Sequence, residues 1–187
     1  METEIISDDQ GEIFRLISKI KTTPHANDLP KSIHTESSTI EVLIFDAILT
    51  AVGSQFGHVA IDIDGTIYSR AHSRYAEIKP GSLFRDSNQK IRDFEGLTLR
   101  VSPHEKLKIK TELIRRVKLD RPYNIVNNSC STNIADVLES IGILAHDPRF
   151  QLDPESTSLV SPKEILIIVS RSKRVSKRTR YTKLKNE

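Results

Sequence analysis

Three stretches of the chain carry the apolar pattern of β-strands. The run TIEVLIFDAILT, from Thr39 to Thr50, is nearly continuous in β-branched and other apolar residues, which predicts a central strand buried on both faces. In residues 58–69, apolar and polar positions alternate up to the turn dipeptide Asp64-Gly65, which is typical of a hairpin. The run FEGLTLRVS, residues 94–102, predicts a further strand that leads into a helix.

Two helices are predicted on either side of these strands. Residues 11–21, GEIFRLISKIK, place their apolar residues at helical spacing and predict a short amphipathic helix. The second helix begins at Pro103, because Ser102 and Glu105 form a capping box and proline suits the first helical position. Its apolar stripe ends near Asp120.

Two more helices are predicted in the C-terminal half. One begins at or beside Cys130 and stops at Gly142, and its apolar residues repeat at helical spacing. The other follows Ser161, Pro162 and Glu164, which repeat the capping signature before EILIIV, although that run also suits a strand. The polar residues 22–39 and 70–93 carry proline turns and are predicted to be irregular.

These elements predict an α+β fold, in which helices pack against a central antiparallel sheet. The strands of that sheet come from the segments near 40–50, 58–69 and 94–101. The chain divides into three regions, namely an N-terminal helix and tether at 1–38, the α+β domain at 39–170, and a basic tail at 171–187 that is predicted to be disordered.

The charge is distributed very unevenly along the chain. Residues 171–187 contain eight Lys or Arg and one acid, so the tail carries +7 and residues 1–170 carry −4, although the net charge of the chain is only +3. Such a run is typical of a solvated end, and it also suits binding to RNA, anionic lipid or an acidic protein. Both interpretations stay open from the sequence.

Composition limits the class of protein. The 187 residues match one domain, the single cysteine excludes an intramolecular disulfide, and no apolar run reaches the length of a transmembrane helix. The acidic start, METEIISDDQ, lacks the basic and apolar segments of a Sec signal. We therefore expect a protein that is cytoplasmic when made, or one that is exported or injected by a route that reads no Sec signal.

The segment AIDIDGTI offers one candidate chemistry. It resembles the first motif of haloacid-dehalogenase-type phosphatases, and that resemblance implies Asp62 as nucleophile and Asp64 as general acid and base. Such chemistry needs further acids to complete a magnesium site. The downstream acids Asp136, Asp147 and Asp153 are isolated and follow no strand-like run. The alternative is that Asp62 and Asp64 face solvent around a tight turn.

A second candidate chemistry uses Cys130. A helix N-terminus lowers the pKa of a thiol placed there, and its free N–H groups can stabilise an oxyanion. Counting back four residues from Ile134 places Cys130 on the buried side of the first helical turn, with Ser131, Asn133 and Asp136 on the wetter side. Further oxyanion donors are available nearby at Asn124, Asn127, Asn128 and Ser129. A base is supplied by His58 on the polar side of its strand, 72 residues earlier.

The segments FGHVAIDIDGTIYS and YNIVNNSCSTNIADVLESIG together resemble the circularly permuted papain-like hydrolases, the group of NlpC-type amidases and lecithin:retinol acyltransferase-like enzymes. The resemblance implies a permuted papain-like fold with Cys130 as nucleophile, His58 as base, and a sulfur-to-ring-nitrogen distance of roughly 3 to 5 Å. The third, orienting residue would lie near Ser69 or His72, where many relatives carry a histidine or an acid.

The implied reaction is hydrolysis or acyl transfer on an amide, ester or thioester through a Cys130 acyl-enzyme. The substrate would be a peptide, peptidoglycan or lipid, no cofactor or metal is predicted, and a bacterial effector or toxin fits these features. Four other histidines lack a metal-ligand spacing and are predicted to be surface residues, namely His25, His34, His104 and His146. The competing hypothesis is a non-catalytic binding protein on the same fold.

Overall fold

The computed structural model describes residues 5–7, 13–15, 38–50, 54–146 and 159–184. Contacts divide the chain into two units, Met1–Glu36 and Ser37–Glu187. In the first unit, β1 (Ile5–Ser7) pairs antiparallel with β2 (Ile13–Arg15). The helix expected over 11–21 is therefore wrong at β2, where Ile13 and Phe14 are good strand formers. The rest of that helix, from residue 16, and the tether lie outside the described residues.

The second unit is built on one antiparallel sheet of six strands in the order β6-β5-β4-β3-β7-β8. The expected α+β class and antiparallel central sheet are thus confirmed. The six strands are β3 (Ser38–Phe45), β4 (His58–Ile63), β5 (Thr66–Arg70), β6 (Tyr75–Ile78), β7 (Phe94–Val101) and β8 (Val175–Tyr181).

The strands predicted from sequence occupy the middle of this sheet. β3 lies between β4 and β7, and its second half is buried on both faces, as its continuous apolar pattern predicts. β4 and β5 form the expected hairpin, in which Asp64 and Gly65 have φ values of 53° and 75°. Positive φ at both central residues matches the right-handed twist of the two strands.

Helices cover both faces of the sheet. The larger apolar cluster lies on the face with Val59 and Ile61, and it includes core residues of α2 (Pro103–Leu119), α3 (Cys130–Glu139) and α4 (Pro162–Val169). The opposite face carries the smaller cluster around Phe45 and Ala60, against which Phe84 of α1 (Gly81–Gln89) packs. The alternation of side chains along each strand separates these two clusters.

The helix ends follow the predicted capping chemistry. In α2, the Ser102 hydroxyl accepts the Glu105 N–H at 3.0 Å, and the Glu105 carboxylate accepts the Ser102 N–H at 2.8 Å. The helix stops at Asp120, which has φ 35°. Ser161 caps α4 in the same way, so EILIIV is helical. None of the helices in the described part of the chain combines the length and apolarity needed to cross a membrane.

The structure corrects the expected disorder of the basic tail. Residues 175–181 form β8, which pairs with β7 from Phe94 to Leu99. The Tyr181 ring stacks on Phe94 at 4.4 Å, and Arg178 pairs with Glu95. Apolar contact and opposite charges on the neighbouring strand therefore order a segment that its charge alone suggests is solvated.

Candidate active site

Cys130 opens α3 at the place predicted for it. The Ser129 hydroxyl caps the helix by accepting the Thr132 N–H, and Cys130 is 5% exposed. The Ser131 hydroxyl lies 3.8 Å from its sulfur, and the backbone N–H groups of Val59, Ser131 and Cys130 itself also interact with the sulfur. Burial nevertheless raises the pKa of the Cys130 thiol, because desolvation of the thiolate outweighs these donors. The expected lowering of the thiol pKa at the helix N-terminus is wrong for this resting state.

His58 begins β4 and is almost fully buried. Its Nε2 lies 2.7 Å from the Ser69 hydroxyl, a contact that follows from the register in which Ala60 pairs with Ser69. Burial, and secondarily the positive charge of Arg92, lowers the pKa of His58 to about 3. The imidazole is therefore neutral at physiological pH, and in this resting state it is a weak base.

Cys130 and His58 meet at the beginning of β4 but approach it from different faces. The His58 ring lies on the face of Phe45, with ring centroids 5.9 Å apart, whereas α3 packs on the face of Val59. The sulfur accepts the N–H of Val59, so it lies beside the peptide group that joins His58 to Val59. Within the described residues, the hydrogen bonds of the His58 ring and the Cys130 sulfur do not connect them directly.

The two candidates for the third residue have different surroundings. Ser69 is buried and bonds to His58. His72 is exposed, and its ring lies 5.0 Å from the Tyr123 ring. Ser69 is therefore the side chain that can orient His58.

The side chains named as oxyanion donors are engaged in shaping the loop before α3. The side-chain oxygen Oδ1 of Asn124 accepts the N–H groups of Val126 and Asn127. The Asn128 amide donates to the carbonyl oxygens of Arg121 and Pro122, and Ser129 caps the helix. The donors that remain next to the sulfur are backbone N–H groups, and no sequence pattern marks the one that Val59 supplies.

Polar residues of α3 are more buried than predicted. Ser131 and Asn133 are buried rather than solvent-exposed, whereas Asp136 is exposed as expected. The Asn133 amide donates to Ser129 O and to Asn128 Oδ1, so hydrogen bonds compensate for its loss of water. Asn133 thereby fixes the loop to the helix that carries Cys130.

A cavity of about 140 Å³ lies against Cys130. Its rim includes the exposed side chains Phe56, Ile125 and Leu159, of which Phe56 is 73% exposed. Gly57 has φ 93°, and a Cβ there would lie 2.6 Å from the Phe45 carbonyl oxygen, so glycine is required where the chain enters β4 beside this cavity. The result is an apolar entrance in front of the thiol.

Asp62 and Asp64 do not form the acidic site of a phosphatase. Asp62 accepts the Gly65 N–H and pairs with Arg85 of α1 at 2.7 Å, while Asp64 pairs with Lys106 of α2 at 2.6 Å. The strands are antiparallel, unlike the parallel sheet that the phosphatase motif implies. The two carboxylates therefore bind cations on different helices.

Among the described residues, no group of three His, Cys, Asp or Glu side chains could hold a metal ion. His104 is exposed, and the half-buried His146 bonds to Glu139 at 2.6 Å. His25 and His34 lie outside the described residues. Comparison of the chain with protein-family models, with curated proteins and with solved structures finds no match.

Proposed function

We propose that the protein is a thiol-dependent hydrolase or acyltransferase that acts on an amide, ester or thioester through an acyl-enzyme at Cys130. The observation that carries the proposal is that the sulfur accepts the N–H of Val59, directly after His58, whose ring is bonded to Ser69 at 2.7 Å. The proposed nucleophile, base and orienting hydroxyl therefore lie at the same end of β4, with the sulfur and the imidazole on different faces of the sheet.

The proposed reaction begins with a neutral thiol and a neutral imidazole. His58 Nε2 is engaged with Ser69, which leaves Nδ1 to take the thiol proton as sulfur attacks the carbonyl carbon. The imidazolium then protonates the leaving group, and water or an acceptor alcohol or amine releases the acyl group from sulfur. Because the ring and the sulfur approach β4 from different faces, this step requires the start of β4 and the His58 ring to move when substrate binds, so that Nδ1 reaches the sulfur.

The oxyanion would be stabilised by the donors that now surround the sulfur. The N–H groups of Val59, Cys130 and Ser131 interact with the sulfur, and when the carbonyl carbon bonds to sulfur its oxygen would lie close enough to accept from them. Backbone donors at a helix N-terminus are rigid, so they need no reorganisation as charge develops.

A non-catalytic binding protein is the second candidate. The observation that favours it is the burial of Cys130, which raises the pKa of its thiol, because a buried structural cysteine shows the same property. The two candidates differ in how the thiol reacts with an activated ester.

The test is the reaction of the full-length chain with p-nitrophenyl acetate, followed by mass spectrometry of the Cys130 peptide. Catalytic base assistance should make native Cys130 acylate faster than the same thiol in the urea-unfolded chain at equal pH, and Cys130→Ala should remove the adduct. Ser69→Ala should slow acylation, whereas Ser87→Ala, which changes an exposed serine of α1, should not. Slower acylation of the native thiol than of the unfolded chain would contradict catalysis and favour the binding protein.

A further inference from the structure

A second and larger cavity lies beside the Cys130 site. It has a volume of about 470 Å³ and is bounded by α2, α3 and the segment 121–128, with Tyr75 of β6 in its wall. Arg115, Arg116 and Arg121 contribute to the lining, and we call it the arginine cavity. The remaining polar wall consists of Asp136 and three asparagines, Asn127, Asn128 and Asn133.

Tyr75 lines the cavity and carries a buried hydroxyl that has no partner among the described residues. The residue is 5% exposed, and its hydroxyl oxygen is buried without a hydrogen-bond partner. The Asp120 carboxylate accepts the Tyr75 backbone N–H at 2.7 Å, which fixes the residue in position. The charged and ionisable groups near the hydroxyl are Arg116 and Glu112 of α2, Arg70 of β5 and Cys130 of α3. Buried hydroxyls are normally paired, and an unpaired one next to a cavity indicates a missing partner.

The guanidinium groups have donor capacity left over. Arg116 uses Nε on Glu112 and Nη1 on Asn133 and Asp136, which leaves Nη2 without a hydrogen bond. The exposed Arg121 side chain makes no hydrogen bond or ion pair among the described residues. The lining thus holds three arginines and one carboxylate, Asp136, and with Glu112, which lies outside the lining and pairs with Arg115 and Arg116, one unit of positive charge remains in excess.

We propose that the arginine cavity binds the phosphate group of a small phosphorylated molecule. The residues that line it include unpaired donors on three elements: the buried Tyr75 hydroxyl on β6, Arg116 Nη2 on α2 and the Arg121 guanidinium in the segment after α2. A phosphate presents more acceptor oxygens than a carboxylate, and guanidinium groups bind it with charge-assisted hydrogen bonds. The cavity is larger than a bare phosphate, and the asparagine amides can bind hydroxyl groups on the rest of the ligand.

This site does not depend on the proposed hydrolase activity. Segment 121–129 contributes residues to both cavities, with Tyr123, Ile125 and Ser129 at the thiol and Arg121 and Pro122 at the arginine cavity. Phosphate binding can therefore be measured without any substrate for Cys130.

The experiment is a phosphorus NMR and calorimetric titration of the full-length chain with inorganic phosphate and, separately, with glycerol 3-phosphate, at ionic strength matched with chloride. Binding of both probes indicates recognition of the phosphate group alone, and tighter binding of glycerol 3-phosphate adds contacts to the rest of the ligand. Tyr75→Phe and Arg121→Gln should each weaken binding about tenfold. Tyr68→Phe and Arg180→Gln, which alter a tyrosine and an arginine outside the cavity, should leave it unchanged.

The melting temperature of the ligand-free variants separates a binding role from a structural one. Because the Tyr75 hydroxyl has no partner in the protein, Tyr75→Phe should melt at or above the temperature of the parent chain while it loses phosphate affinity. The proposal is overturned if neither probe binds with a dissociation constant below about 10 mM. It is equally overturned if Tyr75→Phe and Arg121→Gln bind both probes as tightly as the parent does.

Discussion

At the scale of single residues, His58 shows how burial sets chemistry. The side chain is surrounded by the Phe45 ring, Ser69 and the nearby charge of Arg92, and its burial removes the solvent that would stabilise an imidazolium. Burial therefore keeps the imidazole neutral down to about pH 3, and it also makes the ring a weak base until substrate binding changes its surroundings.

Because His58 is buried, the free energy of unfolding should depend on pH in the acidic range. Its pKa is about 3 in the folded chain against the ordinary 6.5 in the unfolded chain, so between these values only the unfolded state binds the proton. The free energy of unfolding should fall as pH decreases from 6.5 towards 3, by up to about 1.4 kcal/mol per pH unit from this group. Urea titrations of His58→Gln should show a smaller pH slope, whereas the exposed His72→Gln should keep the slope of the parent. An unchanged slope in His58→Gln would contradict the assignment.

The Cys130 thiol should respond to alkaline pH. Because burial raises the pKa of Cys130, its alkylation by iodoacetamide should reach half-maximal rate at a higher pH than in the unfolded chain. Mass spectrometry of the alkylated peptide measures both rates. A midpoint below that of the unfolded chain would show that the surrounding donors outweigh desolvation.

The position of Cys130 could be predicted from sequence, but the state of its thiol could not. Helical spacing back from Ile134 and the cap at Ser129 fix where the helix begins and which side of it is buried. Whether a buried sulfur is charged depends on the balance between desolvation and donors, one of which comes from the backbone of β4. The burial of Asn133 likewise depends on the loop that folds over it, and helical periodicity carries no information about that loop.

At the scale of elements, β8 and α1 are the two whose secondary structure could not be predicted from the local sequence pattern. In β8, Val175, Thr179 and Tyr181 are strand formers at alternating positions, but Lys and Arg fill the places between them and dominate the composition. In α1, no side chain caps the N-terminus, and few of its residues are apolar. Both elements are specified by contacts with the sheet, whereas α2 carries its own capping box and apolar stripe.

Removal of β8 should destabilise the domain. A chain truncated after Ser170 loses the Tyr181 ring from Phe94 and the pairing of β7 with β8, so a large part of the β7 edge becomes exposed. We expect loss of cooperative unfolding in circular dichroism. The milder Tyr181→Ala should lower the free energy of unfolding by about 2 kcal/mol, whereas the exposed Lys177→Gln should change it little. An intact melting transition in the truncated chain would mean that β8 contributes nothing to the core.

Gly96 of β7 should be intolerant of a methyl group. A Cβ at this position would overlap the carboxylate of Glu41, which is held by Arg85 at 2.6 Å while Arg85 also binds Asp62 at 2.7 Å. Gly96→Ala should therefore cost about 1 to 3 kcal/mol in urea denaturation. The same substitution should cost less in a Glu41→Ala background, and equal costs in the two backgrounds would show that the overlap is not the cause.

At the scale of the whole molecule, the folded chain brings its two oppositely charged parts together. The basic residues Arg174, Arg178 and Arg180 pair with Glu105, Glu95 and Asp93 respectively. Exposed pairs of this kind contribute little each to stability, but they reduce the charge that the tail can offer to a partner. Binding of RNA or anionic lipid to the tail stays a prediction.

Because some cations of the basic tail are already paired with acids of the domain, the tail should bind a polyanion with fewer than its eight positive charges. With a single-stranded RNA homopolymer as probe, the slope of log affinity against log salt should correspond to clearly fewer than the eight basic residues of the tail, because three of the arginines are already paired. Fluorescence anisotropy between about 50 and 200 mM salt measures the slope. A slope that required all eight cations would mean that β8 detaches when RNA binds.

The position of β8 at the end of the sheet has a consequence for how molecules meet one another. Its outer backbone groups have no strand beside them in the described part of the chain, and such an edge can template pairing with another copy. Here the edge carries Lys177, Arg178 and Arg180, and its ladder to β7 is interrupted opposite Thr98 and Leu99. Two such edges brought side by side would place like charges against each other. Electrostatic repulsion between these cations therefore disfavours fibrous self-assembly. High ionic strength screens that repulsion. The protein concentration above which two β8 edges associate should therefore fall as the salt concentration rises.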